Sequence, residues 1–292
     1  MSELPSIDTI ADWVNSGTPE GDRTSINVLA VSEGEEWAGS VRRSPVEGQP
    51  AYVGETSAAT GHLAAAASVA KVSPEIRLHY PEVDRTASGP WIVLEPLEGA
   101  LGTVSTGRAI VRITLSRSSG GRDARLAVDG ERLKTVLEAA RPEHEHYPVA
   151  DDEDGVFTTG MSSYELSEVT GGAELTVRFE LSTTPLTSHE AVRDRFLDIN
   201  GVTAVEVDPV AGVERSDPDE RIRGILQDAS KEVLGEYRYE WLSNGADRFD
   251  RLPTCNKLAF GTSRREGPFT SDAYSAAKAV LQRTATCWEG AT

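Results

Sequence analysis

Residues 108–115, RAIVRITL, and residues 175–182, LTVRFELS, decide how this chain is read. In the first, Ala109, Val111, Ile113 and Leu115 fall on one face, with Arg108, Arg112 and Thr114 on the other. The second repeats the pattern, with Leu175, Val177, Phe179 and Leu181 on one face and Thr176, Arg178 and Glu180 opposite. Side chains alternate across a strand with period 2, so each stretch predicts a strand with one buried and one polar face.

Between them, residues 129–140 carry Leu133, Val136, Leu137 and Ala140 at helical spacing. Thr187-Ser-His-Glu190 is a capping box that predicts a helix bearing Ala191, Val192, Phe196 and Ile199. Gly201 suits a helix end, residues 202–207 a strand, and residues 156–169 a further strand. The order becomes βαββαβ, the ferredoxin-like pattern, so residues 108–208 are expected to form an inserted lid. The flanks alternate differently. Residues 26–31 (INVLAV), 75–80 (EIRLHY) and 91–94 (WIVL) predict short strands, and residues 61–71 (GHLAAAASVAK) an alanine-rich helix. Beyond the link ERSDPDE (214–220), residues 217–234 and 271–287 predict helices, with strands over 237–242 and 258–260. Residues 1–107 and 209–292 are therefore expected to form one discontinuous α/β domain around the lid, with a mixed sheet.

The 292 residues carry 47 acidic and 29 basic side chains, a net charge of -18. Such a field repels phosphate, so neither nucleic acid nor an anionic membrane is expected as a partner. No stretch approaches the roughly 18 apolar residues of a membrane span, and the N-terminal residues lack a signal-peptide pattern. The two cysteines, Cys255 and Cys287, suit a reducing compartment. Together these features predict a cytoplasmic protein. Arginine outnumbers lysine 24 to five, and the acidic, lysine-poor composition predicts a halophile's protein, whose carboxylates stay hydrated while salt screens their repulsion.

Common catalytic signatures, including GxSxG, GxGxxG, HExxH and CxxC, are missing from the sequence. His144-Glu-His146 could present two imidazoles on one side of an extended segment, but PEHEHYP (142–148) reads as a solvated polar loop. His62 reads as a polar group at a helix start, and His189 as part of a surface capping box.

Several segments taken in order resemble the dinuclear-zinc aminoacylase/carboxypeptidase family, which includes acetylornithine deacetylase, succinyl-diaminopimelate desuccinylase and the carrier-protein–lysine hydrolases. Residues 28–35 (VLAVSEGE) stand where that family has a strand ending in His-x-Asp. Residues 54–65 (GETSAATGHLAA) stand at its Gly-rich turn, bridging Asp and following helix. Pro81-Glu82 falls at its Glu-Glu pair, and Leu94-Glu95-Pro96 at its Glu-Pro motif. Gly245-Ala-Asp247, Phe260-Gly261 and residues 268–274 (PFTSDAY) follow its closing segments. The resemblance implies a zinc-exopeptidase-like α/β domain with the inserted lid.

It also shows where this sequence departs. The first His position holds Glu33 and its Asp partner Glu35. Ala58, which has no donor atom, stands for the bridging Asp, Pro81 for the catalytic carboxylate, and Phe269 for the last His. The lid's substrate-facing His has no equivalent over 116–121, and its carboxylate-clamping Arg falls near Ser182. Glu82, Glu95 and Asp247 remain. The first reading is thus a degenerate, catalytically inactive member with a vestigial cleft of Glu33, Glu35, Ala58, Pro81, Glu82, Glu95, Asp247 and Phe269. On it no cofactor is expected, and the partner is a protein, itself or an active relative, bound through the lid. A second reading keeps a working metal-dependent amide hydrolase, with zinc held by Glu35, Glu82, Glu95 and His62 or His79. A third is an unrelated α/β binding module. On the first, the cleft carboxylates should splay outward, be bridged by arginine, or hold a weak hard cation.

Overall fold

Continuous apolar runs make parallel strands here and alternating runs make antiparallel ones. The first segment of the chain runs through α1 (Ile7–Asn15), β1 (Ile26–Leu29), β2 (Arg42–Val46), β3 (Gln49–Val53), α2 (Ser57–Ala70), β4 (Ile76–Leu78), β5 (Trp91–Leu94), β6 (Leu101–Gly102) and β7 (Val104–Ser105). Next come β8 (Gly107–Ser116), α3 (Arg122–Ala139), β9 (Glu143–Ala150), β10 (Glu153–Glu168), β11 (Glu174–Thr183), α4 (His189–Leu197) and β12 (Val202–Ala211). The last segment holds β13 (Glu214–Arg215), α5 (Glu220–Leu234), α6 (Asp247–Asp250), β14 (Lys257–Phe260), β15 (Phe269–Thr270) and α7 (Ser271–Glu289). This computed structural model describes residues 3–16, 25–116, 122–140, 143–150, 153–168, 174–183, 189–211, 214–242, 247–264 and 267–290. They divide into two units, Met1–Val104 with Arg215–Thr292, and Ser105–Glu214.

In the first unit the sheet order is β4-β1-β5-β14-β6, with β4, β1, β5 and β14 parallel and β6 antiparallel at the edge. Every residue of β1, β5 and β14 is buried, as strands covered on both faces require. α2 is buried along nearly its whole length, because alanine lets a helix approach its neighbours closely. At Gly61 a Cβ would lie 2.2 Å from the Phe269 ring, so only glycine fits. The β2–β3 hairpin, which the apolar periodicity does not reveal, turns at Glu47-Gly48, both with positive φ. Residues 237–242 form an extended segment and not the expected strand. Their partner β6 is only two residues long, so they pair through isolated contacts, a bridge from Leu101 to Tyr239 and the Leu242 N–H donating to the Val104 carbonyl.

The second unit is an antiparallel sheet of order β12-β8-β11-β10-β9. Strands β12, β8, β11 and β10 have the ferredoxin-like order, and β9 extends it at one edge. Residues 143–148, part of the stretch expected as a loop, lie in this extra strand, with His144 opposite Thr158 and His146 opposite Val156. Val111, Ile113, Val177 and Phe179 are buried, together with Val136 of α3 and Val192 and Phe196 of α4. Phe179 and Phe196 meet edge to face at 5.4 Å. The expected mixed α/β class with a mixed sheet is the observed one. No helix among the described residues is long and apolar enough to cross a membrane. Cys255 and Cys287 are free thiols.

Candidate functional site

Loops leaving the carboxyl ends of β1 and β5 meet the short helix α6 at a cleft of about 510 Å³ in the first unit. Ligand crevices in open parallel sheets lie at these strand ends. After β1, the Ser32 N–H donates to Glu35 Oε2 at 2.8 Å while the Glu35 N–H donates to the Ser32 carbonyl, which fixes the turn. After β5, the Glu95 N–H donates to the Phe260 carbonyl and the residue is buried, 5% exposed. The start of α2 supplies a wall of Glu55, Thr56, Ala58 and Ala59.

Arg248 of α6 organises the floor. Its Nε and Nη2 donate to Glu35 Oε2 and Oε1 at 2.9 and 2.5 Å, a two-pronged grip on one carboxylate. Its Nη1 donates to the Leu94 carbonyl at 2.6 Å and lies 3.8 Å from Glu95 Oε2. Lys257 holds α6 from beneath. Its buried Nζ donates to the carbonyls of Phe249 and Leu252 at 2.7 and 2.9 Å and sits 4.4 Å from the Phe249 ring centre.

The two carboxylates facing Arg248 titrate in opposite directions. Burial alone would raise Glu35, but the Arg248 hydrogen bonds and charge, the Ser32 N–H and the Arg251 charge outweigh it and hold its pKa low. Glu95 is pushed up to about 7, chiefly by burial. The Arg248 charge and the Phe249 N–H oppose that rise, while the charges of Glu35 and Asp250 add to it. The difference is one of burial and geometry: Glu95 is the more deeply buried and sees only the flank of the guanidinium, whose fork is aimed at Glu35.

Of the residues marked in the sequence, Glu33, Glu35, Ala58 and Glu95 line this cleft. Glu33 stands at the rim, 4.0 Å from Arg85. Pro81 and Glu82 are exposed on the loop after β4 and do not line it. Phe269 is buried, packed against Gly61 and edge-on to His62 at 5.1 Å, and does not line it either. The side chain of Asp247 lies outside the described residues. His62 is no helix cap: it is fully buried, neither ring nitrogen has a hydrogen-bond partner, and burial, then the Arg248 charge, lowers its pKa to about 3. His79 bonds Asn27 Oδ1 through Nε2, accepts the Asp84 N–H at Nδ1 and packs on Trp91. It is a structural histidine, with a pKa lowered to about 4 chiefly by burial.

Arg248, Arg251 and Lys257 were not singled out from the sequence. Their signals are DRFDR (247–251), where two arginines flank one turn, and a rare lysine opening the apolar run KLAF.

As they stand, these residues do not fit a two-metal centre. Ala58 offers no donor, both Glu35 oxygens are engaged, and His62 is enclosed. Among the described residues no group of three His, Cys, Asp or Glu is placed to hold a metal.

No family model and no curated protein matches the sequence. Solved structures do. An M20 family metallo-carboxypeptidase from Sulfolobus solfataricus aligns over 96% of this chain and 92% of its own, with TM-score 0.56 and 10% identity. A dinuclear metal binding M20 peptidase from Bacillus subtilis aligns over 98% and 92%, with TM-score 0.54 and 10% identity. A di-peptidase from Saccharomyces cerevisiae aligns over 91% and 80%, with TM-score 0.57 and 10% identity. Two of these are described as metal proteins, which overturns the expectation of no cofactor. At such identity the likeness is one of architecture, and the chain has the mixed α/β fold of the M20 metallo-peptidases.

Proposed function

We propose that this chain is a catalytically inactive relative of the M20 hydrolases, kept for binding or assembly. The observation that carries the reading is the Arg248 fork on Glu35, in a cleft where Ala58 supplies no donor. Hydrolysis of an amide needs a base within reach of the attacking water. The position that the resemblance gives to that base is Pro81, which has no proton acceptor on its side chain and stands outside the cleft. The Glu35 carboxylate is committed to Arg248 and Ser32, so it is poorly placed to take a proton.

The cleft still has the volume of a small-molecule site. In the second unit, β12 and β9 each pair on one side only within the described sheet. Unpaired edges invite a further strand, so assembly with a second copy or an active relative through this unit is part of the proposal. The acidic surface and free thiols support a place in a reducing, salt-rich cytoplasm.

The test is hydrolysis of a panel of dipeptides and N-acyl amino acids with zinc, manganese or cobalt supplied. The expected result is no turnover above the uncatalysed rate. Saturable turnover abolished by Glu95→Gln would establish a working hydrolase with a displaced site, using Glu95 as its base.

A further inference from the structure

We propose that His144 and His146 of β9 are half of a zinc site that a second copy of this chain completes, so that zinc joins two copies through this edge strand. The inference rests on the assembly part of the reading above and names the edge, the partner and the ion.

The strand is what makes the site. In a loop, PEHEHYP (142–148) fixes no relation between its two histidines. On a strand, residues two apart share a face, and β9 runs over Glu143–Ala150. The register sets His144 opposite Thr158 and His146 opposite Val156, so both histidines stand on one face of the strand. Their positions are about 7 Å apart along it. One chain thus offers two imidazole ligands, half of a closed tetrahedral zinc shell.

β9 is also an open edge. β10 pairs with β11 over Gly160–Glu168 and with β9 over Glu153–Thr159. Among the described residues, β9 and the first half of β10 therefore form a two-stranded ribbon that runs past the end of β11, and β9 has no second neighbour. A two-stranded ribbon is marginal in water and gains most from further strands. Pairing β9 with another β9 would join two ribbons into one four-stranded sheet.

Symmetry supplies the register. In a two-fold pair the same strand meets itself in reverse order. Antiparallel pairing centred on Glu145 sets His144 opposite the partner's His146, and His146 opposite the partner's His144. Opposed residues share a face about 5 Å apart, so four histidine positions cluster there. This centring engages residues 143–147 and leaves Pro148, which cannot donate to a ladder, outside.

The other face shows why the ion is needed. There Glu145 meets the partner's Glu145, and like charges directly opposite are destabilising. Each chain also carries a net charge of -18. So short a pairing is weak against that repulsion, whereas a divalent ion supplies both ligand bonds and countercharge. Imidazole suits zinc, copper and nickel, and not magnesium or calcium, which defines the class of ion.

The experiment is zinc titration of the full chain, followed by sedimentation velocity, with zinc counted in the separated species. The expected result is a monomer without metal that becomes a dimer with one zinc per two chains and returns to monomer with a chelator. Replacing both histidines, His144→Gln with His146→Gln, should abolish the zinc-dependent dimer. Glu145→Gln removes the opposed charges and should tighten that dimer about two- to fivefold. A zinc-dependent dimer that survives the double histidine variant would overturn the site, as would a titration that leaves the wild type monomeric. An unchanged dimer in Glu145→Gln would overturn the register, and this variant serves if the double one does not fold. A dimer formed equally with and without zinc refutes this site and leaves the assembly reading standing, whereas turnover by the wild type refutes the inactive reading.

Discussion

In the second unit, Val111, Ile113, Val177 and Phe179 are buried by an alternation written into two short stretches of chain. At the cleft of the first unit, Glu35 and Arg248 meet across 213 residues, and Arg248 meets the Leu94 carbonyl across 154. Apolar burial is non-directional and tolerates local rules, so a strand with the right period finds its core. A charge network depends on which partner arrives at 2.5–2.9 Å and from which direction, and no local pattern carries that. One unit should therefore respond to lost volume and the other to pH and charge.

The largest expected effect is in the second unit. Phe179→Ala removes a fully packed ring from both sheet and helix partners and should lower unfolding stability by about 3–5 kcal/mol, at every pH. Denaturant unfolding checks this. A loss that varied strongly with pH would break the contrast between the two regions.

At the cleft, Glu95→Gln should act through pH. Its folded pKa of about 7 lies above the ordinary 4.5 of a free glutamate, so the folded state holds more protons between these values. The contribution of Glu95 is fully present below about 4.5 and is lost as pH rises through about 7. The Gln variant should thus match the wild type near pH 4.5 and exceed it by about 1–3 kcal/mol at pH 8. Glu35 works the other way: its stabilisation is present above 4.5 and is lost as pH falls through its lowered folded pKa. Comparing the two proteins cancels the contributions of His62 and His79, whose lowered pKa values remove stability as pH falls below 6.5. A flat difference between the two proteins across this range would contradict the cleft geometry.

Gly61→Ala sharpens the comparison from the packing side. A helix interior gains about 1 kcal/mol from alanine over glycine, yet here the new Cβ meets the Phe269 ring at 2.2 Å. Overpacking should win, with a net loss of about 1–2 kcal/mol in thermal or denaturant unfolding. A stabilised variant would show that Phe269 can move. The smallest effect belongs to the rim. Arg85→Ala breaks a 4.0 Å pair between exposed partners and should change stability by less than about 0.5 kcal/mol.

The sequence was most legible where burial follows a period. Both alternating stretches, the helix over α2 and the buried runs at β1, β5 and β14 can be read directly. The hairpin at Glu47-Gly48 escaped because β2 is mostly exposed and shows no apolar face. Residues 143–150 escaped because EHEHYPVA has the composition of a loop and becomes a strand only by pairing with β10. At the cleft, a family resemblance located Glu33, Glu35, Ala58 and Glu95, and arginine bridging was one expected fate of such carboxylates. Which arginine does so depends on tertiary contacts, among them the Lys257 bonds to the Phe249 and Leu252 carbonyls, whose partners DRFDR and KLAF do not name.

The most direct test of the central claim, that Arg248 organises the cleft floor, is the titration of Glu35 and Glu95 in the wild type by carboxyl carbon nuclear magnetic resonance. The account predicts Glu95 titrating near 7 and Glu35 below 4.5, with Glu35 moving up in Arg248→Met and Glu95 not moving down. Two carboxyls titrating together near 4.5 in the wild type would mean that the guanidinium does not hold Glu35 and that the cleft is open.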